Sequence, residues 1–576
     1  MAATSKTNAT DRQLSELEAC RHSFGPSEVN RIIKLLKTLD AARFDDSASL
    51  IRFHETLLFL RAFPQGPFVV RAAERILNKF HNKIDTLRKA GADFVDGDFD
   101  TYEVSGIAGT QMEDTLSFDV ARWLVKRMPA QVEIAWENYE PAPELGTTGP
   151  RFIPLLEDDA NVEADTPWRQ WMETAGGKNA KTVSWLIQRF EQLPLPPQQK
   201  AELYESLRVP LRWNLDNSVI TRTRNLKKPR NIFYHSEPLI SRSQVSLAGE
   251  LKKRPPKLTK LSHKQGEEII ELIREVMLVR YRELYGTTLG DPRSVVRADV
   301  GRGIEIYLWN LPPDRRLPLR AYVAGLTLKN GVPINYIEAI ALCEWMEVGF
   351  NTFYTFRGGE AGWIYAQVLR GLCHHMGTTT VSVYPYQLGH DNEEAIDSGA
   401  FWFYRKLGFR PGCPDLQKLA EQEEKKIAAS QNKKTQYRTP PRTLKRLASS
   451  HVFYELPGSE VGAWDKFSTR NIGLQVNRRM ARDFGGDAKR IREHATRALQ
   501  KLLGVTTSSW TPREKSAFEN FALVLADKPG LRGWAREEKE SLLELIRAKT
   551  KPDEMLYLRL TQRHERLRRA LLLLGS

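Results

Sequence analysis

Cysteine is scarce in this chain. The four thiols in 576 residues, Cys20, Cys343, Cys373 and Cys413, lie far apart and form no Cys-x-x-Cys pair. That excludes a zinc knuckle and a disulfide framework and leaves buried free thiols as the reading. Long apolar runs are missing as well: no stretch stays apolar for the roughly 18 residues a spanning helix needs. The opening Met-Ala-Ala-Thr-Ser-Lys-Thr-Asn has no apolar core of the kind a signal peptide carries. The expectation is an intracellular, cytoplasmic protein with no membrane partner. No metal site is expected either. His54-Glu55 begins a zinc-protease pattern, but Leu58 stands where the second ligand belongs. Asp96-Gly-Asp98-Phe-Asp100 begins like a calcium loop, yet Thr101 holds the turn position and Ile107 the bidentate one. His374-His375 closes a helical stretch, where a partly positive imidazole is favourable without any metal.

What is present is an ordinary globular composition, 41% hydrophobic and 27% charged, in a chain long enough for about three domains. The formal charge is +15. Between Thr221 and Lys260, eleven lysines and arginines face only Glu237 and Glu250. A second basic cluster runs through Lys433, Lys434, Arg438, Arg442, Lys445 and Arg446, beside Pro440-Pro441. Charge gathered in proline-containing stretches reads as linkers or exposed loops, with nucleic-acid contact as the alternative.

Periodicity divides the chain. From Asp11 to Gly91 apolar residues recur at helical spacing, broken at Pro26-Ser27 and Pro64-Gln-Gly66-Pro67, with Gly91 as a stop. The pattern loosens from Pro141 to Pro150, is helical again from Thr182 to Leu193, and ends in Pro194-Leu-Pro196-Pro197. Residues 1–220 therefore form a mainly helical region and 221–260 a basic linker. Gly266 to Leu284 is an amphipathic helix. Strand patterns follow at Ile304–Leu308 and Ala321–Leu328, and Asn330-Gly331 suits a two-residue hairpin whose return strand covers Ile334 to Ala341. Trp363 to His375 has helical spacing, Thr378–Val383 reads as a strand, and His451–Leu456 as a last one. Residues 414–450 are then a helical, basic insertion, and 457–576 a helical C-terminal region.

Two motifs carry chemistry. Ala400-Phe-Trp-Phe-Tyr404-Arg-Lys-Leu-Gly408-Phe409 places a tyrosine on a short helix just before a Gly-Phe turn into a strand. Arg357-Gly358-Gly359-Glu360-Ala361-Gly362 is a small-residue turn entering the helix at Ile364, where backbone N–H groups can approach phosphate closely. Together, in this order and with the hairpin upstream, residues 241–456 resemble the GNAT acyltransferase core. The resemblance implies an α+β fold, a GNAT-like mixed sheet with flanking helices set between mainly helical ends. It also implies acyl transfer from acetyl-coenzyme A, or another acyl-coenzyme A, to an amine.

In that family an Asn-x-x-Ala-x-x-x-Tyr-x-x-x-Gly-Phe run forms the last helix. Here Asp397 replaces the Asn, and Asn392 could supply the amide. The pyrophosphate loop of the family is Arg/Gln-x-x-Gly-x-Gly/Ala. Its leading position is Phe356, with Arg357 one place away, and its small residues match Gly359 and Ala361. Arg357, Gly358, Gly359, Ala361, Gly362 and Asn392 are the implied cofactor contacts. A carboxylate at Glu360 costs phosphate affinity unless it points outward along the helix. The resemblance gives Tyr404 the role of acid toward the departing thiolate, and Glu338 is the choice of base ahead of Glu344 and Glu347. Tyr384, Tyr386, Gln387 and His390 are candidates for the acceptor pocket. Two other classes stay open: a GNAT-like scaffold without catalysis that binds nucleic acid or protein, and an aminoacyl-tRNA-dependent transferase of the same fold.

Overall fold

The computed structural model describes residues 9–90, 96–140, 144–157, 166–218, 220–430, 435–526 and 529–576. Gly91, Pro141, Lys433 and Lys434, on which expectations above fell, lie outside them. The chain divides into two compact bodies. One comprises Met1–Pro238, Glu271–Thr288 and Gly331–Pro333, the other Leu239–Ile270, Leu289–Asn330 and Ile334–Ser576.

In the first body the helices Ala9–Cys20, Pro26–Ala41, Ser47–Ala62, Pro67–Leu77 and Phe80–Ala90 follow the breaks the prolines mark. Pro26 and Pro67 start their helices, where a missing N–H costs nothing. Ser47–Ala62 is buried nearly all round and is capped by Asp46, whose carboxylate accepts from Ser49 N–H at 2.7 Å. This region is not wholly helical. Strands β1 (Gln111–Thr115), β2 (Val132–Ile134) and β3 (Pro210–Asn214) form an antiparallel sheet in the order β1-β3-β2, with buried Trp213 opposite both Met112 and Val132. Part of the expected basic linker is also core. Thr221, Arg222 and Thr223 are buried, with Arg222 3.6 Å from Glu55 and His54 3.0 Å from the same carboxylate oxygen.

The second body is built on a nine-stranded sheet. Its strands are β4 (Thr259–Lys260), β5 (Val296–Asp299), β6 (Ile304–Asn310), β7 (Ala321–Lys329), β8 (Val332–Leu342), β9 (Trp345–Thr352), β10 (Thr380–Val383), β11 (Arg410–Pro411) and β12 (Val452–Glu455). Their order is β11-β12-β10-β9-β8-β7-β6-β5-β4. The β11–β12, β12–β10, β9–β8, β7–β6, β6–β5 and β5–β4 pairs are antiparallel, and β9 with β10 is parallel. Helix α1 (His263–Leu278), whose residues from Glu271 on belong to the first body, lies between β4 and β5, α2 (Ala361–Met376) crosses from β9 to β10, and α3 (Ala400–Arg405) leads into β11. Strand β12 inserts between β10 and β11, after the helices Pro414–Ser430 and Pro441–Leu447. The C-terminal region is helical, beginning with α4 (Thr469–Phe484) and α5 (Ala488–Leu503). The class is therefore α+β, with mixed sheet and helix as expected.

The sheet core is apolar and tightly filled. Val323, Ala324, Leu326, Ile337, Ala339, Met346 and Val381 have no exposure. Trp345 stacks on Trp464 at 5.3 Å, which ties β9 to the C-terminal segment. The Asn330-Gly331 turn has φ 49° and 80°, both positive as a two-residue hairpin of this hand requires. A Cβ on Gly331 would lie 2.0 Å from the Lys227 carbonyl oxygen, and Lys227 N–H donates to the Gly331 carbonyl at 3.0 Å. Gly331→Ala is thus expected to destabilise the fold by roughly 1–3 kcal/mol. A lowered midpoint of thermal unfolding checks this; an unchanged midpoint contradicts it.

Candidate functional site

The parallel strands separate soon after they pair. Thr380, Val381 and Ser382 of β10 face Trp345, Met346 and Glu347 of β9, and there the register ends, although β9 runs on to Thr352. On its other side β9 stays paired with β8 along its whole length. The Val348–Thr352 edge of β9 therefore faces a split rather than a strand. Tyr384 and Tyr386, both about half exposed, follow β10 beside it. Gln387 Nε2 lies 3.4 Å from Asn351 Oδ1, on the same face as Gly349.

Glu338 sits on β8 directly opposite Gly349. Its carboxylate accepts a hydrogen bond from the Tyr322 hydroxyl, and burial raises its pKa despite that bond. A carboxyl held above the usual range is suited to take a proton near neutral pH. Glu347 is close by in the sheet and bonds His451 Nε2 at 2.9 Å, with the Tyr384 ring edge-on to the imidazole at 5.3 Å. Sequence reasoning considered Glu347 but not His451, since the two are 104 positions apart and only the insertion of β12 beside β10 joins them. Glu344 is occupied elsewhere, by Arg568 at 2.7 Å and Trp464 Nε1 at 2.8 Å.

Tyr404 is buried on α3, its ring against Tyr365, Phe403 and Phe409 at centroid distances of 5.6, 5.2 and 5.7 Å. Burial pushes its hydroxyl well above the ordinary phenol pKa, so it stays protonated at neutral pH. The Tyr365 hydroxyl, also buried, has no hydrogen-bond partner among the described residues. Phe409 N–H donates to the Tyr404 carbonyl at 3.2 Å, which fixes the turn from α3 into β11.

At the N-terminus of α2, Gly358 and Arg357 are exposed, and Arg357 pairs with Glu394. Asn392 is committed locally: its Oδ1 accepts from Ala395 N–H at 3.2 Å and its Nδ2 donates to the Tyr386 carbonyl at 3.1 Å. Gly362 lies under Arg242, where a Cβ would sit 3.1 Å from Arg242 Cγ. Glu360 does not point outward. It is fully buried, bonded by Arg302 and by Ile240 N–H at 3.1 Å, with Lys329 Nζ 3.8 Å away. Arg302 offsets the carboxylate beneath the loop, with Lys329 beside it. His375, at the other end of α2, has a pKa pushed down to about 4 by burial, so the expected partial charge there is absent. Among the described residues, no group of three or more His, Cys, Asp or Glu could hold a metal ion, and no helix is long and apolar enough to cross a membrane.

No family model, curated protein or solved structure matches the chain.

The buried lysine gives a test of this geometry. Lys329 has a pKa lowered to about 7 by burial, against 10.5 ordinarily. Between those values the unfolded chain holds a proton that the folded chain has released, so stability rises with pH across that window. The slope from this group is at most about 1.4 kcal/mol per pH unit. Lys329→Met is expected to remove that rise, as read from denaturant unfolding between pH 7 and 10; an unchanged slope would show that Lys329 keeps its proton.

Proposed function

We propose that the second body is an acyl-coenzyme A-dependent N-acyltransferase with a GNAT-like core, acting on an amine whose identity is open. The observation that carries the reading is the split between β9 and β10, with helix α2 entered from the end of β9 through a glycine-rich turn. An extended thioester substrate can lie along the unpaired Val348–Thr352 edge and take its hydrogen bonds from backbone groups there. Its phosphates would fall toward the first turn of α2, where N–H groups lack helical acceptors. The buried Glu360 fits this reading because the Arg302 guanidinium compensates its charge.

The chemistry asked of the chain is modest. An amine nitrogen bonds to the acyl carbon as the carbon–sulfur bond breaks; one proton leaves the nitrogen and one reaches the sulfur. Glu338 is the assigned base for the first proton, with the Glu347–His451 pair as the other group on the split. Tyr404, neutral and buried, is the assigned donor for the second. Tyr384, Tyr386 and Gln387 would border the acceptor. Arg357, Gly358, Gly359, Ala361 and Gly362 would hold the phosphate end, and Asn392 would shape the adjoining loop.

Isothermal titration with acetyl-coenzyme A is expected to give micromolar binding that Gly359→Glu abolishes. No heat from a well-folded protein would overturn the reading in favour of a scaffold without catalysis. With an acceptor in hand, Tyr404→Phe is expected to slow turnover by roughly 10²-fold with cofactor affinity little changed; unchanged turnover removes Tyr404 from the mechanism. The acid limb of kcat/KM should lie above the ordinary glutamate range, because the base works only once deprotonated and burial raises its pKa. Glu338→Gln should lose that limb together with most of the activity.

A further inference from the structure

Helices α4 and α5 are joined by Gly485-Gly486-Asp487, with φ 63° and 79° at the glycines, values that let the chain reverse within three residues. Asp487 then caps α5, accepting from Lys489 and Arg490 N–H at 2.8 and 3.1 Å. The two helices are thus joined by a short glycine turn. They are an unusual pair for a folded body, since α4 buries only Ile472 of its sixteen residues. Helix α5 buries Ile491, Ala495 and Leu499, one stripe, with Thr496, Ala498, Gln500, Leu502 and Leu503 half-buried beside it and its basic residues exposed.

That free surface is strongly cationic. From Thr469 to Leu503 there are nine lysines and arginines against three acidic residues. All three acids are engaged: Asp483 with Arg482, Glu493 with Arg497, and Asp487 in the cap. Arg470, Arg478, Lys489, Arg490, Arg492 and Lys501 are exposed and form no ion pair among the described residues. The next stretch, Thr511 to Ala548, carries seven basic and seven acidic residues, and Lys549 to Ser576 seven against three, so within the C-terminal region the larger excess belongs to this helix pair. Two hollows open on the surface. One of about 350 Å³ is bordered by Arg478, Arg479 and Arg482 together with the apolar Val476, Leu523 and Leu574, and one of about 670 Å³ by Lys489, Arg492 and Arg497 together with Glu493 and Glu519.

We propose that α4 and α5 form a docking surface for double-helical DNA, held chiefly through its phosphates. Charge complementarity selects a polyanion, and the rest of the surface narrows the class. A membrane needs an apolar helix face to insert; the apolar stripe of α5 is spent inside the fold, and the exposed Leu474 of α4 is flanked at helical spacing by exposed Arg470, Asn477 and Arg478. Single strands are held by stacking bases on aromatic side chains. The only aromatic rings between Thr469 and Leu503 are Phe484 and His494, which pack on each other at 5.2 Å. A duplex needs no stacking platform: it presents phosphates on both sides of a major groove wide enough for a helix. Lys489, Arg490 and Arg492 stand exposed near the start of α5, where they can contact phosphates. This surface shares no residue with the acyltransferase site, with the basic segment 221–260 or with the cluster at 433–446, so the inference does not rest on the proposed activity.

The test is fluorescence anisotropy of a labelled duplex of about 24 base pairs with the full chain. Binding is expected at 50 mM salt and should weaken by roughly 10²–10³-fold at 200 mM, the dependence for about four to six neutralised phosphates. The exposed triple variant Arg478→Gln, Lys489→Gln, Arg492→Gln should cut the salt slope by roughly 3 while the thermal midpoint holds. Arg478→Lys with Arg492→Lys should keep the slope, and Lys228→Gln with Arg230→Gln, in the other basic segment, should leave binding unchanged. No duplex binding at 50 mM, an unaltered slope in the triple variant, an equal loss in the Lys228/Arg230 variant, or tighter binding to the single strand would each overturn the proposal.

Discussion

Two parallel strands cannot be joined by a tight turn, and in the second body that constraint organises everything around β9 and β10. The crossover must start at the end of β9, run antiparallel to the strands and return to the start of β10; α2 does so with sixteen residues. Its first turn is thereby brought to the end of β9, and the short register of β10 leaves the Val348–Thr352 edge open beside it. The sheet then closes with a strand from 70 residues further on, since β12 must pass to the inside of β11 to pair with β10. That step carries His451 to Glu347 and Tyr454 to the ring of Phe409. Glu347 and His451 are thus brought together by backbone topology.

Electrostatics beneath the glycine turn follow from the same geometry. A carboxylate at the N-terminal cap of α2 is well placed for the helix dipole, but full burial would make it costly alone. Arg302 comes from the turn before β6 and Lys329 from the end of β7, two positions that the antiparallel register brings close by pairing Ile304 with Lys329. The outcome is a compensated cluster under the loop. It anchors the start of α2 to the sheet while leaving Arg357 and Gly358 at the surface.

Much of this was readable in the residues. Asn330-Gly331 announces its turn because no other pair takes two positive φ values so readily. Pro26 and Pro67 announce helix starts, and the apolar spacing from Trp363 to His375 announces α2. Other features were not readable. Strand β9 follows β8 after only Cys343-Glu344, with no Gly, Pro or Asn there to mark a turn, so the sequence hides two strands in one stretch. The strands β1 to β3 pair across about 100 residues, and Gln111–Thr115 carries no alternation of its own. The direction of Glu360 depends on cations 31 and 58 positions away, and the burial of Arg222 depends on Glu55. Local pattern gives the elements here; long-range charge pairing gives the site its character.

Hydrogen–deuterium exchange with and without acetyl-coenzyme A tests the central claim most directly. If the substrate lies in the split, amides of Val348–Thr352 and of Arg357–Trp363 become protected together, and the rest of the sheet is unchanged. Protection confined to other segments, or none at a concentration that saturates binding, would contradict the placement of the site.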